Sequence, residues 1–149
     1  MVAMRDLDRL RMAAKLAARR DGRSYLVGAV GERHDGVVVA SRNGFSRMPV
    51  PASHAEARLC LKLDVGATVW VARVTRDGHF ALAKPCAPCE ERLRSRGVRR
   101  VVYTTGPGEY EVLRLLVGLA VRGAVRLVSC CIGSFVGSMR ASTTHSCWL

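Results

Sequence analysis

Two short motifs, separated by a long intervening segment, restrict the fold of this chain more than any other feature. The first is His54-Ala55-Glu56, and the second is Pro85-Cys86-Ala87-Pro88-Cys89. One imidazole and two thiolates form a tetrahedral ligand set for Zn²⁺ that leaves the fourth coordination position open for water. The fold is therefore expected to bring the imidazole of the first motif and both thiols of the second to one point.

Each motif taken alone has other interpretations. A His and a Glu two positions apart occur by chance on many surfaces, and C-x-x-C also occurs as a redox pair, a structural zinc half-site or two buried thiols. A redox pair would leave His54 and Glu56 without a role. A closed structural zinc site would need a fourth ligand, and the sequence contains no second C-x-x-C and no H-x₃-H. The combination favours a catalytic zinc site with His54, Cys86 and Cys89 as its ligands.

The carboxylate of Glu56 is predicted to be the catalytic group. Zinc makes its bound water a strong nucleophile near neutral pH. Attack of that water on an amidine carbon also needs a group that carries a proton to the ring nitrogen and to the departing ammonia. A carboxylate just beyond the His ligand meets this need. The pattern H-x-E … P-C-x-x-C is typical of zinc-dependent nucleobase deaminases, so the predicted reaction is hydrolytic deamination.

With these motifs, residues 24–129 resemble the cytidine deaminase-like superfamily. The similarity is to the branch whose first ligand is His, which includes deoxycytidylate, tRNA adenosine and polynucleotide cytidine deaminases. In tRNA adenosine deaminases an Asn shortly before H-x-E binds the sugar, and Asn43 matches it. In polynucleotide cytidine deaminases an aromatic residue after the strand that follows the second motif helps to hold the flipped base, and Tyr103 resembles it. The resemblance therefore implies substrate contacts at Asn43, Ala55 and Tyr103.

The apolar pattern predicts one domain over residues 1–129, in which helices and strands alternate. Strands separated by helices should pair in parallel, which gives a three-layer α/β/α sandwich around a five-stranded mixed sheet, as in the cytidine deaminase-like fold. Residues 130–149 are rich in Ser, Thr and Cys and are predicted to form a tail. The predicted helices are 6–20, 53–63 with Ser53 as N-cap, one opened by Cys86 and Cys89, and 109–122; the predicted strands are 25–30, 36–41, 67–74, 98–105 and 124–129, with a short return segment at 79–83.

The charge balance favours a polyanionic partner. The chain carries 24 Lys and Arg against 12 Asp and Glu, a formal net charge of +12. Arg predominates, and its planar guanidinium suits phosphate. A dense cluster after the second motif would suit the backbone of a single-stranded nucleic acid or the 5′-phosphate of a mononucleotide, and would equally suit a solvated helix face. This cluster consists of Arg92, Arg96, Arg99 and Arg100.

Three functions remain open from the sequence. The first is conversion of cytosine to uracil in a nucleotide or a single-stranded polynucleotide, and the second is tRNA-type conversion of adenosine to inosine. The third is a non-catalytic, zinc-stabilised module that binds nucleic acid; the presence of Glu56 argues against it. Lys84 precedes Pro85 where adenosine deaminases of this branch often carry an acidic residue, which favours cytosine.

The setting expected for this chain is a reducing intracellular compartment, either cytoplasmic or nuclear. No charged-then-apolar leader and no apolar run long enough to span a bilayer occur in the sequence, so a membrane partner is not expected. A homo-oligomer is compatible with the sequence.

Overall fold

The structure is a computed structural model that describes residues 4–19, 22–45 and 50–116. Within this part of the chain, helices and strands alternate as the apolar pattern predicts. The elements are α1 (Met4–Ala17), β1 (Leu26–Glu32), β2 (Val38–Arg42), a 3₁₀ turn (Pro51–Ser53), α2 (Ala55–Cys60), β3 (Thr68–Val74), β4 (Phe80–Ala81), α3 (Ala87–Ser95), β5 (Arg100–Gly106) and β6 (Glu109–Arg114).

The described strands form one six-stranded mixed sheet in the order β2-β1-β3-β5-β6, with the short β4 paired to β3. Strands β3 and β5 are parallel, with Thr68 opposite Arg100 and Val71 opposite Tyr103. All other pairs are antiparallel. The parallel pair is the one connected through α3, which agrees with the expectation for strands separated by a helix. The predicted mixed sheet is confirmed. β4 falls within the predicted return segment at 79–83, and β6 is a strand that was not predicted.

Helices cover both faces of this sheet, which confirms the three-layer α/β architecture. Helix α1 packs on one face, where Leu10 and Ala13 meet Trp70 and Val102. Helices α2 and α3 pack on the other face, where the buried Leu59 and Leu93 meet alternate residues of β3 and β5. The period-2 alternation of strand side chains explains this division, because Val69 and Val71 face α2 and α3 while their neighbours face α1.

A buried carboxylate fastens α1 to the sheet. Asp6 is 3% exposed. It accepts hydrogen bonds from Trp70 Nε1 at 2.8 Å and from Arg100 Nη1 and Nη2 at 2.9 and 2.6 Å. The Arg100 hydrogen bond lowers the pKa of Asp6 more than burial raises it, and the Trp70 hydrogen bond lowers it further. Asp6 is therefore held as a carboxylate that links α1 to both β3 and β5.

The helix predicted for residues 109–122 is wrong over its described part. Residues 109–114 form β6, the second strand of a hairpin with β5, in which Val102 pairs with Val112. Gly108 adopts φ 76° in the turn between the strands, a conformation that favours glycine. Pairing with β5 therefore overrides the helical pattern. Residues 117–122, the predicted strand 124–129 and the predicted tail 130–149 lie outside the described residues.

The described helices are short compared with a bilayer. No helix among residues 4–19, 22–45 and 50–116 has the length and apolar character needed to cross a membrane.

We expect Asp6→Asn to destabilise the fold near neutral pH. It should lower the free energy of unfolding at pH 7 by about 1–3 kcal/mol, because it weakens charge-assisted hydrogen bonds. The folded pKa of Asp6 is depressed, so its contribution is complete above its unfolded pKa of about 3.9 and is lost as the pH falls through the folded pKa. Urea unfolding at pH 7 and below pH 4 measures the difference. The control is Asp8→Asn, since Asp8 is 61% exposed. A loss equal to that of the control would contradict the prediction.

We also expect Gly28→Ala to be costly. A Cβ at Gly28 would lie 2.1 Å from the carbonyl oxygen of Ala13, because α1 lies directly on the backbone of β1. Since backbone must move, the free energy of unfolding should fall by about 2–3 kcal/mol. Gly106→Ala is the matched control, because its Cβ would make only an ordinary contact at 3.6 Å. Equal stability of the two variants in urea would show that α1 accommodates the methyl group.

Candidate active site

Three potential metal ligands converge at the first turns of α2 and α3. His54 is the N-cap of α2, and Cys86 is the N-cap of α3 with Cys89 in its first turn. His54 Nδ1 lies 3.5 Å from Cys86 Sγ and 3.4 Å from Cys89 Sγ. The three ligand atoms all lie within 4.8 Å of one another. The structure therefore brings together the three residues that the sequence predicts as metal ligands.

Their separations fit a tetrahedral Zn²⁺ site. With a Zn–N bond of about 2.0–2.1 Å and a Zn–S bond of about 2.3 Å, two ligand atoms at the tetrahedral angle are about 3.6 Å apart. The two observed N···S separations, 3.5 and 3.4 Å, agree closely with this value. One imidazole and two thiolates are also the ligand types that zinc prefers. These three residues could therefore hold zinc.

The local sequence explains why both motifs open helices. Before α3, Ala83 is buried and its N–H donates to the carbonyl of Thr104 at 2.8 Å, which fixes the approach to Cys86. Before α2, Pro51 opens the 3₁₀ turn that ends at Ser53. The predicted N-cap role of Ser53 is wrong. Its hydroxyl donates to the carbonyl of Val50 at 2.7 Å, and the 3₁₀ turn shifts the helix start so that His54 is the N-cap residue.

The charge state of the thiols in this cluster depends on their burial and on their position at the N-terminus of α3. Burial, followed by the charge of Glu56 and the hydrogen bond to Cys86, raises the pKa of the Cys89 thiol. A divalent cation between the three ligand atoms would oppose this effect, because it stabilises thiolate. The N-terminus of α3 favours thiolate in the same way. The donor set is therefore one that a cation would complete.

Glu56 lies in the first turn of α2, two residues beyond His54. It is only 6% exposed, and burial raises the pKa of its carboxyl group. None of the ion pairs among the described residues involves Glu56. A buried carboxyl group without a cationic partner is costly for stability. Such groups are more common in functional sites than in structural ones.

A cavity of about 530 Å³ opens onto these residues. Its metal-side wall contains the predicted ligands His54 and Cys86, together with Ala55 and Glu56. Ala55 is fully buried against the cavity. The remaining lining comes from the start of β1, the end of β2, the end of β3 and the segment before α3: Arg23, Ser24, Tyr25, Val27, Asn43, Gly44, Phe45, Ser53, Arg73, Leu82, Ala83 and Lys84.

Asn43 lies on the cavity wall, as its predicted role requires. Its Oδ1 accepts hydrogen bonds from Val27 N–H at 3.0 Å and from Arg23 Nη1 at 2.6 Å. Its Nδ2 donates to the carbonyl of Tyr25 at 2.8 Å. The Asn43 amide thus ties the end of β2 to the start of β1 at the cavity wall. Contact with a sugar stays a prediction.

Tyr103 does not line the cavity. It is 4% exposed in the core beneath α2 and α3, and its hydroxyl donates to Glu111 at 2.5 Å. That hydrogen bond is the main reason why the pKa of Tyr103 is raised to about 12. The β5–β6 hairpin, which the sequence pattern did not predict, supplies this partner. The predicted contact of Tyr103 with a base would therefore need the ring to leave the core.

The four arginines predicted to bind phosphate do not form one surface. Arg100 faces α1, on the opposite side of the sheet from α3, and bonds to Asp6. Arg96 donates through Nε to the carbonyl of Leu63 at 2.7 Å. Arg92 and Arg99 are exposed. None of the four lines the described cavity. The side-chain alternation of β5 splits the cluster, and a role in phosphate binding stays a prediction.

Sequence reasoning missed the cationic and aromatic side chains of the cavity. Arg23, Tyr25 and Arg73 line it, and none of the three was a predicted site residue. A signal for Arg73 is present in β3, where it occupies the same face as the buried Val69 and Val71. A charged residue on the covered face of a strand indicates a cavity or an ion partner.

Comparison with known proteins supports the fold. No protein-family model and no curated protein sequence matches the chain. The dCMP deaminase of the cyanophage S-TIM5 is similar in structure, with 18% identity, a TM-score of 0.51, and coverage of 70% of this chain and 86% of that one. The cytidine deaminase of Burkholderia pseudomallei is also similar, with 18% identity, a TM-score of 0.54, and coverage of 77% and 94%. The chain thus has a cytidine deaminase-like fold.

We expect the purified chain to bind about one Zn²⁺ through His54, Cys86 and Cys89. The double variant Cys86→Ser, Cys89→Ser should lose this metal, because a hydroxyl is a much weaker zinc ligand than a thiolate. Cys60→Ser is the matched control, since Cys60 is a free thiol of α2 outside the ligand cluster. Zinc is measured by mass spectrometry after dialysis. Full occupancy in the double variant would rule out this ligand set.

Proposed function

We propose that this chain is a zinc-dependent hydrolytic deaminase that converts cytosine to uracil in a nucleotide or a single-stranded polynucleotide. The observation that carries the proposal is the meeting of His54 Nδ1, Cys86 Sγ and Cys89 Sγ at the wall of a cavity that His54, Cys86 and the buried Glu56 line. The two similar structures are a dCMP deaminase and a cytidine deaminase, which supports cytosine as the base.

In this proposal His54, Cys86 and Cys89 hold zinc, which when bound supplies a Lewis acid that makes water more acidic. The remaining chemistry is proton transfer. Oxygen from water bonds to C4 of cytosine, and the bond from C4 to the exocyclic nitrogen breaks. Glu56 accepts the two protons of water in turn and delivers one to N3 and the other to the leaving amino group, so the products are uracil and ammonia. Burial raises the pKa of Glu56, which suits a group that must both accept and return a proton.

The buried position of Glu56 also favours an enzyme over a zinc-stabilised binding module. A structural zinc site does not need a carboxyl group in its cavity, and its burial would only reduce stability. The cavity volume of about 530 Å³ falls in the usual range for small-molecule sites, which is about 300–1,000 Å³. A nucleobase with its sugar could enter such a space.

We expect Glu56→Gln to remove most activity and to keep both the fold and the bound zinc. The variant amide has a similar shape but cannot carry the proton, so the rate should fall by at least about 10²–10⁴-fold. Glu91→Gln is the control, because Glu91 is 65% exposed on α3 and does not line the cavity. Ammonia release, metal content and thermal unfolding are measured in parallel. Activity within a few-fold of the unsubstituted chain would show that another group carries the proton.

The choice of base is tested with a substrate panel. The purified chain is incubated with cytidine, dCMP, single-stranded DNA, single-stranded RNA and tRNA, and products are identified by mass spectrometry. We expect uracil-containing products. Inosine in tRNA without uracil in any substrate would overturn the assignment to cytosine and favour adenosine.

A further inference from the structure

The charge of the cavity narrows the substrate of the proposed deaminase. Three cationic side chains line it, those of Arg23, Arg73 and Lys84, whereas Glu56 is its one acidic lining residue among the described residues. Glu56 is buried in the first turn of α2, next to the ligand His54. A ligand in this cavity therefore meets more cationic than acidic side chains. A wall of this kind favours an anionic group.

Arg23 has a structural role and is not the recognition residue. It is 5% exposed. Its guanidinium donates to the carbonyl oxygens of Ala17 and Arg19 at 3.1 and 2.7 Å, and to Asn43 Oδ1 at 2.6 Å. These hydrogen bonds close the end of α1 against the start of β1 and the end of β2. Its donors are directed to the protein and not to a ligand.

Arg73 is arranged differently. Its guanidinium carbon lies 4.7 Å from the centre of the Tyr25 ring, and none of the ion pairs of residues 4–19, 22–45 and 50–116 involves it. A guanidinium that stacks on a ring uses its face and leaves the N–H groups of its edge available. Those N–H groups form the planar fork that binds phosphate oxygens in pairs.

The backbone holds this stacked pair in place. Arg73 pairs with Val27 of β1 on one side and with Ala81 of β4 on the other. Its own N–H donates to Thr104 Oγ1 at 3.3 Å. The carbonyl of Tyr25 accepts the Asn43 hydrogen bond on the same wall. Tyr25 is 60% exposed, so its ring contacts the Arg73 guanidinium and is not part of the buried core. The backbone of Arg73 is thus fixed from both sides, and its guanidinium lies against the Tyr25 ring at the cavity wall.

Lys84 adds a second cation to the wall. It is exposed, but it stands between Ala83 and Pro85, which are both buried, in the segment that leads to Cys86. None of the ion pairs in the described part of the chain involves Lys84. An ammonium group acts as a point charge without a directional requirement, so it can follow a phosphate that Arg73 orients.

We propose that Arg73, stacked on Tyr25 and assisted by Lys84, recognises a phosphate group, so that the substrate is a phosphorylated cytosine nucleotide and not a free nucleoside. This inference rests on the proposed function for the base. The phosphate has two possible sources, a mononucleotide or the backbone of a single strand, and both offer the same chemistry to a guanidinium.

The test compares each nucleoside with its own 5′-monophosphate, using cytidine with CMP and deoxycytidine with dCMP, together with a short single-stranded oligonucleotide. We expect kcat/KM for the monophosphates or the oligonucleotide to exceed that for the nucleosides by at least about tenfold. Arg73→Gln should lower kcat/KM for the phosphorylated substrate by about tenfold to a hundredfold, chiefly through KM, and leave the nucleosides within about twofold. Lys84→Gln should act in the same direction, with a smaller loss. The substrate with the highest kcat/KM among dCMP, CMP and the oligonucleotide identifies the source of the phosphate.

The control is Arg11→Gln, which removes the same charge from an exposed position of α1 outside the cavity. This variant should leave kcat/KM unchanged for all substrates. An equal loss for nucleosides and monophosphates in Arg73→Gln would show a structural role and overturn the inference. A higher kcat/KM for nucleosides in the unsubstituted chain would overturn it as well.

A binding measurement separates this inference from the proposed reaction. Titration calorimetry of the full chain carrying Glu56→Gln compares dCMP with deoxycytidine, with and without Arg73→Gln. Tighter binding of dCMP that Arg73→Gln abolishes would support phosphate recognition even if no substrate is deaminated. Equal affinity for dCMP and deoxycytidine, or no detectable binding of either, would overturn the inference of phosphate recognition even if deamination is observed.

Discussion

Close approach of one imidazole, two thiols and one carboxyl group at a single point is the constraint on which the rest of the structure depends. His54 Nδ1 lies 3.4 and 3.5 Å from the two sulfur atoms, and Glu56 is buried beside them. The two thiols and the carboxyl group of this set would repel one another when all three are ionised. Two features of the fold offset this repulsion. The N-terminus of α3 favours thiolate at Cys86 and Cys89, and the N···S separations would let a bound zinc ion neutralise the two thiolates.

Two buried carboxyl groups of this fold differ in their surroundings and in the direction of their pKa shifts. Asp6 and Glu56 are about equally buried, at 3% and 6% exposure. Asp6 accepts hydrogen bonds from Arg100 and Trp70, which lower its pKa, so its charge joins α1 to the sheet. Glu56 has burial as its main influence, which raises its pKa. The same functional group is thus held as a carboxylate on one face of the sheet and is a buried part of the cavity wall on the other.

The buried and half-buried arginines also differ in the partners that their side chains meet. Arg23 and Arg100 direct their donors to carbonyl oxygens, Asn43 and Asp6, and so connect elements of the fold. Arg73 instead lies against the ring of Tyr25 and lines the cavity. A high content of Arg therefore does not define one basic surface. Its effect depends on which acceptors each side chain meets, and the net charge of +12 does not show this.

The sequence by itself determined the ligand set, the neighbouring Glu56, and the alternation of helices and strands that yields a mixed sheet. These depend on residue types at short spacing, where local geometry restricts the outcome. Only the tertiary structure decided the rest. Residues 109–114 became β6 because β5 offered an unpaired edge, and Tyr103 lies in the core because Val71 and Glu111 flank it across the sheet. Arg100 faces away from α3 and Arg73 faces the cavity because the side chains of a strand alternate between its two faces. Which of these faces carries the site depends on contacts between residues that are far apart in sequence.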